Sequence, residues 1–406
     1  MSFTKKIIYS MIFGIIIGLI INFLNVNASF QYYVIEGIFG LISNIFISSL
    51  KLIVIPLIFF SIVCGILSLS DDTSLSRVSI KTLSLYFVTT IIAISLGLLF
   101  SSFIDYEPTL KNEIINSNYD NNTTNQSHLF PDNIFKSLAE GNIIHLLIFS
   151  ILIGIAANKI KDNIPIFISY IKQFNDVINE LVKLIIAFTP VAVFCILVKT
   201  FSSQGAGTLL TLITYFLTVA VVLIFHFLLT YTVLLKLFTN LNPITFFKNI
   251  KDVIIFTFST SSSSASIPFT LDAVRTKCGV NNSIGSFTIP LGATINMDGT
   301  AIMQGCATFF LASLYGIDIG FQEIVLIVTT ATLASIGTAG VPSAGILMLT
   351  MIFSQIGIPL EGITLLLGVD RLLDMMRTSV NVSGDMCITC IVAKSENQID
   401  QKIFDS

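Results

Sequence analysis

The chain has 406 residues, 54% of them hydrophobic and 11% charged, with a mean hydropathy of +0.89. A soluble globular chain carries about 25% charged residues, so these values exclude the soluble enzyme classes and indicate an all-α polytopic membrane protein with several runs long enough to cross a bilayer. The net charge of −3 says little, and no basic block points to nucleic acid.

Lys5 and Lys6 precede the apolar run Ile7–Leu24. The charge order is that of a signal peptide, but the run is long and no A-x-A site follows, so it reads as a retained first helix with a cytoplasmic N-terminus. Ile38–Leu69 is a second span with Pro56 inside it. Asp71 to Lys81 reads as a short polar connector, and Thr82–Ile104 as a third span carrying Thr89 and Thr90. Asp105 to Ser127 is rich in Asn, Ser and Thr with Lys111 as its one base, which suggests a loop on the outer face. Asn-x-Ser/Thr patterns within it, such as those at Asn122 and Asn125, carry little weight in so Asn-rich a stretch. Ile143–Ala157 begins another span, and Lys159, Lys161 and Lys172 mark a cytoplasmic connector. Leu181–Val198 and Leu209–Leu237 follow as spans. His145 and His226 lie in apolar segments, where a hydrogen-bonded structural histidine is expected.

From Pro243 the pattern changes. Phe246–Phe258 is too short for a full span and runs into the serine cluster 259–266, then a second short apolar piece ends at Arg275 and Lys277. This reads as a re-entrant hairpin whose serines satisfy backbone groups and whose second helix offers N–H groups to an anion. Ser286–Leu314 reads as a broken helix centred on Thr294-Ile295-Asn296-Met297-Asp298-Gly299-Thr300. Its carbonyls and Asp298 suit a cation in mid-membrane. A second pair of short arms, Ile324–Ser335 and Ile346–Phe353, flanks the Gly/Pro tip 336–345. Interrupted segments at matching places point to a transporter site.

Leu365 to Lys394 is apolar enough for a membrane helix yet carries Asp370, Arg371, Asp374, Arg377, Asn381 and Asp385. At about 100° per residue, Asp370, Asp374, Arg377, Thr378, Asn381 and Asp385 share roughly a 100° arc. Ionisable groups at mid-bilayer depth cost about 2.5–3.5 kcal/mol each, so they face partners, water or substrate. Interhelical ion pairs are the bland reading, and a site for a small charged solute is the sharper one. No Lys or Arg lies between Lys277 and Arg371, which singles out Arg377 as an anion partner. The six cysteines are scattered. Cys387 and Cys390 form a C-x-x-C, but no second pair completes a metal site, and no disulfide framework emerges.

The serine run, N-M-D-G-T, S-I-G-T-A-G-V-P and D-x-x-R-T-x-x-N-x-x-G-D, in this order, resemble the dicarboxylate/amino acid:cation symporters, the glutamate transporter family, with its archaeal and bacterial aspartate and glutamate members. The match is dense from about residue 131 to 394 and looser before it. The resemblance implies a homotrimer in the cell membrane, with both termini cytoplasmic. Each protomer would have eight transmembrane helices and two re-entrant hairpins, with a transport part that slides like an elevator against a scaffold. Residues 1–240 would be mainly scaffold, except the third helix, 82–104. Residues 241–395 would be the transport core: hairpin 1 (243–277), broken helix 7 (284–314), hairpin 2 (322–355) and helix 8 (361–394). Residues 396–406 would form a cytoplasmic tail.

By motif position, the resemblance assigns Ser263, with Ser262 beside it, and Asn381 to the substrate's α-carboxylate. Asp374 takes the α-ammonium with Thr378 alongside, Arg377 and Thr300 take the side-chain carboxylate, and Gly340 and Val341 lie in the second hairpin, the gate. It implies sodium as the coupling ion at three sites. Asp385 with carbonyls of Gly292, Asn296 and Asn381 would form one. Carbonyls of Thr294, Ser335, Ile336 and Thr338 would form another. Asp298, Asn296, Thr89, Thr90 and the Tyr86 carbonyl would form the third, and Met297 joins the cation-binding stretch. Two departures matter. Some archaeal members have Arg just before the hairpin serines, where this chain has Ser261, and Arg371 offers a comparable charge from elsewhere. Gln304 stands where animal glutamate transporters carry the Glu used for proton and potassium coupling.

The function expected is uptake of aspartate or glutamate coupled to Na+. The alternatives on the same fold are a C4-dicarboxylate carrier, a neutral amino acid carrier and a proton-coupled glutamate symporter. A diacid without an ammonium leaves Asp374 without a partner, and a neutral substrate leaves Arg377 so. An intramembrane protease is a different class, but no G-x-S-x-G occurs. A passive anion channel is another.

Overall fold

The computed structural model describes residues 3–24, 26–67, 73–108, 133–139, 143–204, 207–336 and 344–405. The described residues are nearly all helical and contain no strand; the one β-bridge pairs Val280 with Ile399. The Asn-rich stretch beyond Pro108 and the second Gly/Pro tip, with Thr338, Gly340, Val341 and Ser343, lie outside the described residues.

Helix α1 is Phe3–Phe23. Helix α2 starts at Ala28–Phe30, passes through a π-helical stretch, Gln31–Phe39, and continues as Gly40–Leu67 with Pro56 inside. Helix α3 is Thr73–Ser102. The polar connector expected at 71–81 is therefore mostly helix. Its exposed face carries Arg77 and Lys81, which pair with Glu396, so polar residues extend the span beyond its apolar part. A short α4 (Ile134–Ala139) leads to α5, Ile143–Lys159. Two readings fail next. Lys172 is not in a connector but within α6, Pro165–Ala187, and 181–198 is not one span, because α7 (Thr189–Gln204) leaves α6 at a 48° bend. Pro190, in the first turn of α7, lacks the N–H that would continue an unbroken ladder.

Helix α8 comprises Gly207–Phe225, a π segment His226–Thr230 and Tyr231–Thr239, and it ends on left-handed Asn240. Helix α9 (Pro243–Thr260) begins with Asn242 accepting from the Ile244 N–H and Pro in the first turn, a standard helix start. Left-handed Ser261 then reverses the chain into α10, Ser263–Thr276, so the serine cluster is the tip of a helical hairpin. The broken helix is α11 (Asn282–Ile295) and α12 (Asp298–Tyr315). Helices α13 (Phe321–Ile336) and α14 (Ala344–Ile356) are the two arms around the second tip. Helix α15 is Ile363–Ser395, and a last turn, α16 (Gln401–Phe404), follows.

Among the described residues, Arg77–Ser102 and Leu210–Thr239 are each long and apolar enough to cross a bilayer, and α6 with α7 would make a third, bent span. Polarity is inverted relative to a soluble protein. Leu210, Leu217, Val221 and Ile224 are exposed, while Asp370, Arg371, Asp374, Arg377, Asn381 and Asp385 are buried. That is the arrangement a hydrocarbon solvent selects.

Packing divides the helices. Helix α1 runs along α7, and α2 along α5 and α6. Helix α15 is the axis of the other group, lying against α8, α9, α10, α11 and α12, while α3 packs along α12. The α3–α12 approach is close because Gly97 has no side chain: a Cβ there would sit 2.6 Å from the Ile302 carbonyl. The C-terminal residues dock on this second group. The Asp400 N–H donates to the Gly279 carbonyl, Asn249 Nδ2 donates to the Phe404 carbonyl, and the Phe404 ring is fully buried.

Candidate functional site

The break between α11 and α12 leaves Asn296 extended (φ −96°, ψ 91°) and Met297 irregular (φ −115°, ψ 50°). Several polar groups at the break are met by neighbouring helices. Asn296 Oδ1 accepts from Thr89 Oγ1 on α3 at 3.2 Å, and its Nδ2 donates to Asp385 Oδ1 on α15 at 2.9 Å. Asp298 Oδ1 accepts from Thr90 Oγ1 at 3.2 Å, and Oδ2 from Tyr231 Oη at 3.0 Å. The Gly299 N–H donates to Asn381 Oδ1 at 2.7 Å. That bond requires glycine, because a Cβ at 299 would lie 2.6 Å from the Arg377 carbonyl oxygen. All of these side chains are buried.

The α15 stripe meets this break. Arg377 is 1% exposed, and its Nη2 lies 2.7 Å from Asp370 Oδ1 and 2.8 Å from Asp374 Oδ1. Arg371 Nη1 lies 3.5 Å from Asp374 Oδ2. Nε and Nη1 of Arg377 are buried with no hydrogen-bond partner among the described residues. Thr378 turns its hydroxyl back to the Asp374 carbonyl at 2.8 Å. Asn381 Nδ2 points to Thr300 Oγ1 at 3.4 Å and Met297 Sδ at 3.3 Å. With its oxygen committed to Gly299, the amide of Asn381 presents its N–H side to the space beside Thr300, the orientation that suits a carboxylate. Gly345, in the first turn of α14, closes that space from the other side: a Cβ there would be 2.6 Å from Thr300 Cγ2 and 3.6 Å from Arg377 Nη1.

The hairpin tip supplies the remaining candidates. Ser262 caps α10 by accepting from the Ala265 N–H at 3.2 Å, Ser263 is buried in the first turn, and Ser261 Oγ is buried without a partner among the described residues.

The residues named for cation binding fall into groups. Asp385 faces Gly292 across contact distance and bonds Asn296, with Asn381 one turn earlier on the same helix. Thr89, Thr90, Asn296 and Asp298 converge, and the Tyr86 carbonyl accepts from Thr89 Oγ1 at 3.0 Å. Thr294 lies in the last turn of α11, and Ser335 and Ile336 in the last turn of α13, two helix C-termini whose dipoles favour a cation. The donor set is hard oxygen, the chemistry of an alkali ion rather than of a softer metal. Among the described residues no three His, Cys, Asp or Glu side chains converge.

Two neighbours of Asp298 escape the reading of motifs. His226 is hydrogen-bonded as expected, but its Nε2 is 3.4 Å from Asp298 Oδ2 while Nδ1 takes the Thr230 hydroxyl at 3.2 Å. Tyr231 Oη also lies 3.0 Å from the Val380 carbonyl, so that oxygen and Asp298 compete for its one proton. His226 and Tyr231 are five residues apart, a spacing that the π segment brings onto one side. The available signal was His, Thr and Tyr within six residues of an otherwise apolar span.

Comparison with known proteins agrees with this arrangement. A sequence model of the Sodium:dicarboxylate symporter family matches residues 3–395. The chain is similar to the proton/glutamate-aspartate symporter of Escherichia coli K12, 28% identical over 99% of this chain and 94% of that protein. It is also similar to the proton/sodium-glutamate symport protein of Bacillus caldotenax, 31% identical over 89% and 88% of the two chains. The C4-dicarboxylate transport protein of Bacillus subtilis 168 is 28% identical over 98% and 95%. The buried charge stripe, the broken helix and these matches carry one conclusion: the chain belongs to the sodium:dicarboxylate symporter family, whose members are secondary transporters and not enzymes.

Proposed function

We propose that this chain is a secondary active symporter of the cell membrane that takes up acidic amino acids, aspartate or glutamate, together with Na+. The observation that carries the substrate assignment is the half-used guanidinium of Arg377. One nitrogen holds two aspartates, while Nε and Nη1 are buried with no partner among the described residues. Unanswered cationic donors at this depth are costly unless an anion completes them, and a substrate carboxylate supplies the charge-assisted acceptors. Thr300 beside it adds a hydroxyl. Asp374 offers the ammonium site, and Asn381 Nδ2 with Ser263 and Ser262 at the α10 N-terminus offers the α-carboxylate site.

The Na+ assignment is supported by the oxygen groups around Asp385, Asp298 and the ends of α11 and α13. Sodium and substrate would bind with reciprocal coupling, because Asn381, which bonds the Gly299 N–H and reaches Thr300, belongs to both sets. The proton-coupled relative keeps a proton as the competing ion.

The rest of the architecture is proposed on the same footing: eight spans and two re-entrant hairpins, a homotrimer with cytoplasmic termini, and elevator movement of a transport part past a scaffold. The packing supports a scaffold of α1, α2 and α5–α7 and a moving part built on α15. It favours placing α8 with the moving part rather than in the scaffold, since His226 and Tyr231 hold Asp298. The tail, 396–406, belongs with that part too. The tip between α13 and α14 is the gate.

A C4-dicarboxylate carrier is the second reading, favoured by the second guanidinium on Asp374. Inhibition of labelled aspartate uptake by unlabelled aspartate, glutamate, succinate and serine tests the assignment. Strong inhibition by the first two is expected, and inhibition by serine alone would overturn it.

A further inference from the structure

Asp374 has two arginines, one more than an ammonium-binding carboxylate needs. Arg377 Nη2 engages Oδ1 at 2.8 Å, and Arg371 Nη1 lies 3.5 Å from Oδ2, with the two side chains of this second pair only 6% and 9% exposed. Together with Asp370, these four side chains carry formal charges that sum to zero before any substrate arrives. An amino-acid ammonium must take Asp374, so one guanidinium has to give way. Arg377 is the wrong one to move: its Nη2 is shared with Asp370 at 2.7 Å, and its other nitrogens are needed for the distal carboxylate. Arg371 makes the longer contact, 3.5 Å to the second oxygen.

We propose that Arg371 is a specificity-determining residue. It is the counter-ion that holds Oδ2 of Asp374 until a substrate ammonium displaces it, and it stays in place when the substrate is a diacid without an ammonium. The inference rests on the acidic-substrate reading of this site. It explains how a buried carboxylate can tolerate a substrate that brings no cation. Such a carboxylate left alone would repel the diacid, but paired with Arg371 it does not. The two consequences have opposite signs. Removing the Arg371 charge frees Asp374 for the ammonium, so aspartate binds more tightly. The same change leaves a diacid beside an under-compensated carboxylate, so the diacid binds more weakly. A purely structural ion pair would move both substrates the same way.

The test uses the full chain in proteoliposomes under a Na+ gradient. Unlabelled aspartate and unlabelled succinate compete with labelled aspartate for the wild type, Arg371→Met, Arg371→Gln and Arg371→Lys. The readout is the ratio of the succinate and aspartate inhibition constants. In Arg371→Met it should rise about 100-fold, one lost charge-assisted contact being about tenfold in each direction. Arg371→Lys, which keeps the charge, should restore most of the wild-type ratio. Arg371→Gln serves in place of Arg371→Met if the latter does not fold. An unchanged ratio in a folded neutral variant overturns the inference, as does a Lys variant that behaves like Met. The wild type decides it independently: no succinate inhibition at about 1,000-fold the aspartate constant, a cost of about three tenfold steps, overturns it whatever the variants do. Failure of the wild type to take up aspartate at all would instead sink the underlying substrate reading. Normal uptake with a fixed ratio would sink only the role of Arg371.

Discussion

Arg377 concentrates the chemistry because it is both buried and half-satisfied. Arg377→Cys removes the guanidinium donors and should weaken aspartate binding about 100-fold or more, each charge-assisted bond being worth about 1.5–3 kcal/mol and 1.4 kcal/mol being tenfold. The same variant should keep or gain transport of serine, alanine or cysteine, because Asp374 and Asn381 still hold the amino acid backbone. Competition assays with neutral and acidic amino acids separate this from misfolding, which would lose all substrates alike. Asp385→Asn should weaken the Na+ dependence of uptake, measured as the Na+ concentration for half-maximal rate, since a neutral amide replaces a charged oxygen next to Asn296. The stripe from Asp370 to Asp385 was legible because an unbroken helix turns about 100° per residue, so spacing alone puts those side chains on one arc. His226 and Tyr231 were not legible for the converse reason: the π segment adds a residue to the turn and changes which side chains share a face.

Among the elements, the first hairpin and the broken helix could be read from sequence because each is marked by local chemistry. Ser261 adopts the left-handed conformation, Ser262 caps the next helix, and Asn296-Met297 interrupts the ladder, so turn and cap residues announce them. The α6–α7 bend and the start of α3 could not be read from hydropathy. An apolar average does not register a 48° change of direction, and ion pairing with Glu396 carries α3 past its apolar stretch. Glu396 also gives an element-level pH dependence. Its hydrogen bond from Lys81, helped by the charges of Lys81 and Arg77, holds its carboxyl below its ordinary value of 4.5. A lowered folded-state value means that the α3–α15 link stabilises above the ordinary value and is lost as pH falls through the lowered one. Glu396→Gln should therefore flatten the acid limb of thermal stability of the purified protein below about pH 4.5. The gate can be tested in the same way as an element. A cysteine at Ser343 or Ala344 should react faster with a water-soluble thiol reagent without substrate than with saturating substrate, and equal rates under Na+ would count against a gate there.

At the scale of the whole molecule, one helix axis organises the proposed moving part. Helix α15 carries the buried charge stripe and packs against the broken helix and α9, and the C-terminal turn docks on α9 and the Gly279 turn. Within the tail, Phe404 is fully buried against α9 and the Gly279 turn. Phe404→Ala should cost about 3–5 kcal/mol of stability, the usual range for a buried Phe, read as a fall in the melting temperature of the detergent-solubilised protein. The central claim is that the oxygen groups around Asp385 and Asp298 bind the driving ion and that the Arg377 site binds an acidic amino acid. It is tested most directly by uptake of labelled aspartate into proteoliposomes with Na+ and pH gradients imposed separately. Concentrative uptake should follow an inward Na+ gradient and vanish when choline replaces Na+. Full uptake driven by a pH gradient in the absence of Na+ would contradict the account.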